Sequence, residues 1–214
     1  MQKYKTVGEG KIFEANYEIN RSKFIAHVRR VEDEDAAREF LQSIKKKYFD
    51  ATHNCSAWII GVGVEKHKSN DDGEPGGTAG NPILEVLKKN ALTNVEIIVT
   101  RYFGGIKLGA GGLIRAYSHS AALGLSASEV VTMTPMQKFD VTIEYGMLAT
   151  VENWLRQKKI AVGGTEYAEA VTISLMAEPF DVDGILLELT ELTAANFKPA
   201  LGDEMLVPIV EPKI

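Results

Sequence analysis

Two glycine-rich stretches hold the residues whose types and spacing could do chemistry. The first, Ser69–Pro82, sets Asp71, Asp72 and Glu74 among four glycines; the second, Arg101–Arg115, sets Arg101, Lys107 and Arg115 among five. Together they contain nine of the chain's 19 glycines. Glycine is costly inside regular elements and is used where backbone turns with positive φ or approaches another group closely. One acidic and one basic loop of this kind suggest a surface site, the alternative being two irregular connections.

In the basic stretch, Lys107 and Arg115 bracket Leu108-Gly-Ala-Gly-Gly112, where a helix begins. Free N–H groups at a helix start favour an anion, and glycines let it come close, so phosphate is the natural ligand. The spacing is neither G-x-x-x-x-G-K-[ST] nor G-x-G-x-x-G, which excludes a P-loop and a dinucleotide fingerprint. Tyr102, Phe103 and Tyr117 could stack single-stranded bases beside these cations, or serve as core. Asp71, Asp72 and Glu74 could hold Mg²⁺ with a phosphate, or pair with Arg101, Lys107 or Arg115 and so order the loops; the second is preferred, with Asp72 or Glu74 meeting a cation of the basic loop. Protease chemistry has no support: His-Glu-x-x-His is absent, Cys55 lies in an apolar run, and Ser69, Ser118 and Ser120 form no nucleophile elbow.

The elements that must position these loops read as follows. Alternation over Ile12–Ile19 and Ser22–Val31 predicts a hairpin turning at Asn20-Arg21. Glu32-Asp-Glu-Asp35 opens a helix whose buried face is Ala37, Phe40, Leu41, Ile44 and Tyr48, with Lys45, Lys46 and Lys47 in its last turn as solvated cations or, alternatively, part of a phosphate-binding rim. Asn54–Val64 is apolar enough for a strand covered on both faces, and His53 stands at its entrance. Asn81-Pro82 predicts a short helix with Asn as cap and Pro in the first turn. Val95–Phe103 is a strand, and Ala110–Ser126 a helix with Leu113, Ile114, Tyr117, Ala121 and Leu125 inward. Glu129–Pro135 reads as a linker. Beyond it come a strand at Phe139–Tyr145, a helix at Gly146–Lys159, a hairpin over Ile160–Met176, a helix at Asp181–Ala195 and a strand at Met205–Val210, with Pro208 pointing to an edge. This βαββαβ order is the ferredoxin-like arrangement.

The chain's 214 residues, 45% hydrophobic and 25% charged, fit an ordinary globular protein of one large or two small domains; the linker and the pattern that restarts after it point to an α+β protein of two domains, 1–134 and 135–214. A single cysteine excludes an internal disulfide and fits a reducing compartment. No secretory signal and no run of about 18 apolar residues is visible, so the expectation is a cytoplasmic protein without a membrane partner. The net charge of −5 divides unevenly: residues 1–135 carry 18 basic and 16 acidic side chains, residues 136–214 carry 6 and 13. The acidic second part should repel nucleic acid unless its charges face away.

Ala51-Thr-His-Asn54, Asp72-Gly-Glu-Pro75, Gly77-Thr-Ala-Gly80 with Pro82, and Arg101-Tyr-Phe-Gly-Gly105 continuing through Leu108-Gly109, Leu113 and Arg115-Ala-Tyr117 resemble the bacterial YigZ/YvyE family, related to the eukaryotic IMPACT proteins. The likeness covers about residues 1–130, and the βαββαβ tail resembles the family's second domain. It implies a first α/β domain like the C-terminal domain of a small-subunit ribosomal protein, a fold shared with GHMP kinases, and a second like the last domain of elongation factor G. Eukaryotic relatives regulate translation by binding the activator of a stress-responsive initiation-factor kinase; that partner has no expected bacterial counterpart, so the resemblance implies the theme of translation control and a protein partner in it, and the implied fold adds RNA or the ribosome as partners. Residue reading and resemblance together select Arg101, Tyr102, Gly104, Gly105, Lys107, Gly109, Gly111 and Arg115 as a phosphate- or nucleic-acid-binding set, with His53, Asp72, Glu74 and Thr78 in support. No catalytic residue, cofactor or metal is assigned. A non-enzymatic regulator is preferred to a small phosphate- or nucleotide-handling enzyme built on both loops.

Overall fold

The computed structural model describes residues 1–210. The chain is α+β and divides into two compact units, one of Tyr4–Met133 with Pro208–Val210, the other of Thr134–Val207 with Met1–Lys3.

The larger unit contains β1 (Tyr4–Val7), β2 (Phe13–Ile19), β3 (Ser22–Arg30), α1 (Glu34–Lys47), β4 (His53–Ile60), β5 (Lys66–Asn70), α2 (Gly80–Lys89), β6 (Val95–Tyr102) and α3 (Gly109–Ala127), and ends within β7 (Val130–Ile143). Its main sheet runs β2-β3-β6-β4-β5, antiparallel throughout. Asn20 and Arg21, at φ 48° and 62°, form the two-residue turn of the β2–β3 hairpin, the left-handed geometry that matches strand twist. Asp33 caps α1 by accepting the Ala36 N–H at 2.7 Å, while acidic residues open that helix and lysines close it.

The two faces of this sheet differ. Cys55, Ala57, Val95, Ile97 and Val99 pack with α2 and α3 in a dry core that includes Phe24, Leu87 and Tyr117. Each such large side chain stabilises by roughly 1.5–3 kcal/mol on burial. The other face meets α1 through Phe40, Ile44, Trp58 and Ile98, but polar groups run through it. His27 reaches Glu14 at 3.0 Å and Thr100 at 3.1 Å, and the Thr100 hydroxyl donates to Asn54 at 2.7 Å. Burial lowers the His27 pKa, with the Glu14 carboxylate acting the other way.

Three expectations are corrected, and two strands, β1 and β5, have no counterpart among them. The residues read as a linker, 129–135, lie in β7: the β1 ladder ends at Met133 and the β9 ladder, with β9 at Val171–Ala177, begins at Gln137. Pro135 falls in neither ladder, so its missing N–H does not interrupt them. β1 and β5 carry no periodic apolar signal, and β5, Lys-His-Lys-Ser-Asn, is a polar edge strand. Asn81 does not cap α2; the cap residue is Ala79 and Pro82 is the helix's third residue. Ile114 is 43% exposed while Ala116 is buried, because the buried stripe of α3 runs along Leu113, Tyr117, Ser120 and Gly124. At Gly124 an added Cβ would lie 2.8 Å from the Ala26 Cβ, so glycine sets the closeness of α3 to β3.

The smaller unit follows the expected element order: the second half of β7, a short 3₁₀ turn, α4 (Leu148–Lys158), β8 (Ala161–Tyr167), β9, α5 (Pro179–Leu192) and β10 (Phe197–Val210). In its sheet β7 pairs with β10 and β9, and β9 with β8. Phe139, Val141, Ile143, Ile173 and Leu175 alternate inward against Val151, Leu155, Val182 and Leu189. No helix among the described residues is long and apolar enough to cross a membrane.

Glu96 is the misfit of the α1 face. It shares a face with Ile98, is 1% exposed, and its Oε2 has no partner. Burial pushes its carboxyl from 4.5 up to about 9, with the Arg29 guanidinium opposing. The folded chain therefore holds this proton more tightly than the unfolded one, and stability is full below pH 4.5 and declines as pH rises towards 9. Glu96→Gln should stabilise by about 3 kcal/mol at pH 7 and change little at pH 4. Urea unfolding of both proteins across this range checks it; identical pH slopes would refute it.

Candidate functional site

The acidic loop is wound around its own carboxylates. Asp71 accepts the N–H groups of Gly77, Ala79 and Gly80 at 2.8, 3.0 and 2.8 Å, and so caps α2 from nine residues upstream. Burial works against ionisation of Asp71, but these three N–H bonds prevail and hold its pKa below the usual value. Asp72 takes the left-handed conformation, φ 45°. Its carboxylate accepts Lys45 Nζ at 2.6 Å and the Asn54 N–H at 2.7 Å, and its carbonyl accepts the His53 Nδ1–H at 2.8 Å. Thr78 is buried and donates to the Pro75 carbonyl at 2.6 Å.

Glu74 enters the interior. Its side chain is 3% exposed, and Oε1 accepts both Arg101 Nη1 at 2.6 Å and the Tyr117 hydroxyl at 2.7 Å. Arg101 is 5% exposed; its guanidinium stacks between the Phe24 and Phe103 rings at 5.5 and 5.4 Å, and its Nε has no partner. The Tyr117 oxygen lies 3.3 Å from Cys55 Sγ. Burial pushes the Tyr117 phenol up, and pushes the Cys55 thiol to about 12, so neither is a nucleophile at neutral pH. His53 Nε2 stands 3.8 Å from Glu74 Oε2, an ion pair only when the imidazole is protonated. All three acidic side chains thus have protein partners, and no cluster of three or more His, Cys, Asp or Glu poised for a metal occurs among the described residues.

Of the selected residues, the structure brings together His53, Asp72, Glu74, Thr78 and Arg101, and joins Tyr102 to them through its strand. Tyr102 donates to Asp50 at 2.8 Å. Gly104 is there for packing: an added Cβ would lie 2.0 Å from the Arg21 carbonyl carbon. Lys107, Gly109, Gly111 and Arg115 stand apart at the start of α3 and are exposed. Gly109 has φ 71° with open space around its Cβ position, so conformation and not crowding selects it. That helix start has no side-chain cap and no acidic residue in its first turn. The expected pairing of the two loops is therefore Glu74 with Arg101, while Lys107 and Arg115 remain on the surface. Arg101, expected to offer charge to a ligand, is enclosed instead. Phe103, at 45% exposure, is not core, whereas Tyr117 is.

Sequence reasoning missed Lys45 as the partner of Asp72, 27 residues away. Its place in a run of lysines at a helix end explained it without a partner. The Tyr117 hydroxyl and Ser22, which accepts the Gly104 N–H at 3.2 Å, were also invisible.

Removing one member of the Glu74–Arg101 pair leaves a buried charge unpaired. Glu74→Gln should destabilise by about 3–5 kcal/mol, and Glu74→Leu with Arg101→Met should recover part of that loss. Urea unfolding measures both; a Glu74→Gln protein as stable as wild type would show that the pair does not hold the loops.

The Impact N-terminal domain model matches residues 20–125, and a domain of unknown function (DUF1949) matches 141–196. IMPACT family member YvyE of Bacillus subtilis is 47% identical over 175 residues, covering 82% of this chain and 81% of that protein. A protein IMPACT homolog of Dictyostelium discoideum is 39% identical over 103 residues, 46% of this chain and 28% of that one. A solved crystal structure of a hypothetical protein superposes with TM-score 0.60 at 27% identity, covering 95% of this chain and 98% of that one. The likeness to YvyE extends over most of both chains, and on that ground the chain belongs to the IMPACT family.

Proposed function

We propose that this chain is a non-enzymatic regulator of translation that binds RNA through the surface of the Arg101–Arg115 loop. The observation that carries the reading is the start of α3. Gly109–Gly112 present N–H groups with no capping side chain, and Lys107 and Arg115 flank them in solvent. Backbone donors of this kind favour phosphate oxygens. Phe103 and Ile106, 45% and 43% exposed on the same loop, add apolar surface on which bases can stack. Arg101 and Glu74 act beneath this surface by fixing the root of the loop.

Family membership supports the translational setting, since eukaryotic relatives implied by the resemblance regulate translation. In the smaller unit the strand order β10-β7-β9-β8 with two intervening helices supports the ferredoxin-like reading, and with it the likeness to the last domain of elongation factor G. The larger unit, a sheet with one helix on one face and two on the other, is consistent with the ribosomal-protein-like reading. A phosphate-transferring enzyme is not favoured, because Asp71, Asp72 and Glu74 are engaged in holding the loops.

The reading is tested by single-stranded RNA affinity against salt. Lys107→Ala and Arg115→Ala should each weaken binding and lower the log–log salt slope by about 0.7 for each phosphate that is no longer neutralised, with unchanged unfolding curves. Absence of binding at low salt, or slopes that neither variant alters, would overturn it.

A further inference from the structure

On the opposite face of the main sheet, under α1, the structure contains a cavity of about 120 Å³ that the RNA reading does not use. Its floor is Glu96, Ser56 and Trp58, which are 1%, 4% and 9% exposed. Its rim is exposed and charged: Arg38 and Glu34 from α1 and Lys68 from β5. Glu34 is held by Lys66 at 3.1 Å and Arg38 reaches Asp35 at 2.6 Å. The floor therefore has a buried carboxyl with an unpartnered oxygen beside an indole, and the rim has Lys68 together with Arg38 and Glu34, which are paired with Asp35 and Lys66. A buried polar group without a partner is costly, and a site that leaves one in a cavity is built to receive a donor.

We propose that this cavity binds the ammonium end of a small zwitterion of the amino-acid class. The ammonium donates to Glu96 and Ser56 and lies against Trp58, a ring whose face attracts cations. The carboxylate of the ligand points outward to Lys68 and Arg38, which would repel a simple amine. A cavity of this size admits a few heavy atoms and excludes a large side chain. Burial holds Glu96 protonated at neutral pH, with Arg29 of β3 as the opposing charge. Entry of an ammonium reverses that balance, so the Glu96 proton passes to the buffer and the carboxylate pairs with the ligand, which remains an ammonium.

The test uses the full chain carrying Trp154→Phe, which leaves Trp58 as the sole tryptophan. Glycine, ethylamine and acetate are titrated near neutral pH, with Trp58 emission and calorimetry as readouts. Glycine should saturate with a dissociation constant of about 1 mM, ethylamine should bind about tenfold more weakly, and acetate should not bind. Calorimetry in buffers of different ionisation enthalpy should report release of about one proton per glycine bound. Glu96→Gln should abolish that release and weaken glycine about tenfold or more, and Lys68→Ala should weaken glycine while sparing ethylamine. Glycine that produces no saturable signal, or that binds Glu96→Gln as it binds wild type, overturns the proposal. Equal glycine affinity in Lys68→Ala and wild type overturns it as well. The outcome is independent of RNA binding, which depends on the other face of the sheet.

Discussion

The Glu74 carboxylate is the point on which the larger unit's loops depend. One oxygen accepts from Arg101 at the end of β6 and from Tyr117 in the middle of α3, so a loop, a strand and a helix meet at a single buried atom. Such an arrangement gains little net stability over an apolar filling, because two charges must leave water. What it fixes is geometry. Arg101 has one carboxylate to satisfy it, and the Phe24 and Phe103 rings close over its faces. An acidic loop that shifted would strand a guanidinium in the dry core. The strand end and the helix are thereby tied to the loop, and the basic loop between them starts from a fixed root.

Asp71 and Asp72 extend the same logic outward. Asp71 substitutes for the missing cap of α2, accepting the Ala79 and Gly80 N–H groups at the helix start and the Gly77 N–H of the loop before it. Asp72 joins the loop to α1 through Lys45 and to β4 through Asn54. A stretch with four glycines would otherwise carry a large conformational entropy cost. The carboxylates offset part of it by giving nearly every turn of the loop a specific partner. The main sheet is held in two ways as a result: an apolar core on the α2–α3 face, and hydrogen-bonded polar groups mixed with apolar ones on the α1 face.

Much of the fold was legible in the sequence where periodicity was strong. The β2–β3 hairpin and its two-residue turn, the apolar strands β4 and β6, the long helix α3 and the βαββαβ order of the smaller unit all follow from alternation or helical spacing. The losses have physical causes. β1 has four residues and β5 has no apolar one, so neither carries a pattern. Pro135 was read as a stop, but it lies between two ladders where a missing donor is tolerated. Within the site, the acidic loop's role as a self-organised knot was partly legible, since opposite charges in two glycine-rich loops invite pairing. The identity of the pairs was not. Lys45 with Asp72, and Tyr117 with Glu74, depend on which strands become neighbours, and local sequence does not encode that order.

The residues that make these loops recognisable are therefore mostly internal. Glu74, Thr78, Arg101 and Tyr117 are buried, and Gly104 is pressed against Arg21. They determine where the loops stand and leave little of themselves for a ligand to touch. The surface they hold up is formed by Ile106, Lys107 and Arg115, together with Phe103, whose ring also packs on the buried Arg101 guanidinium. A ligand that meets this surface reads charge, exposed apolar area and backbone donors at a helix start, which is a sequence-tolerant mode of recognition. On the proposed RNA-binding reading, specificity then comes from shape, and the buried Glu74–Arg101–Tyr117 junction is what fixes the root of that loop.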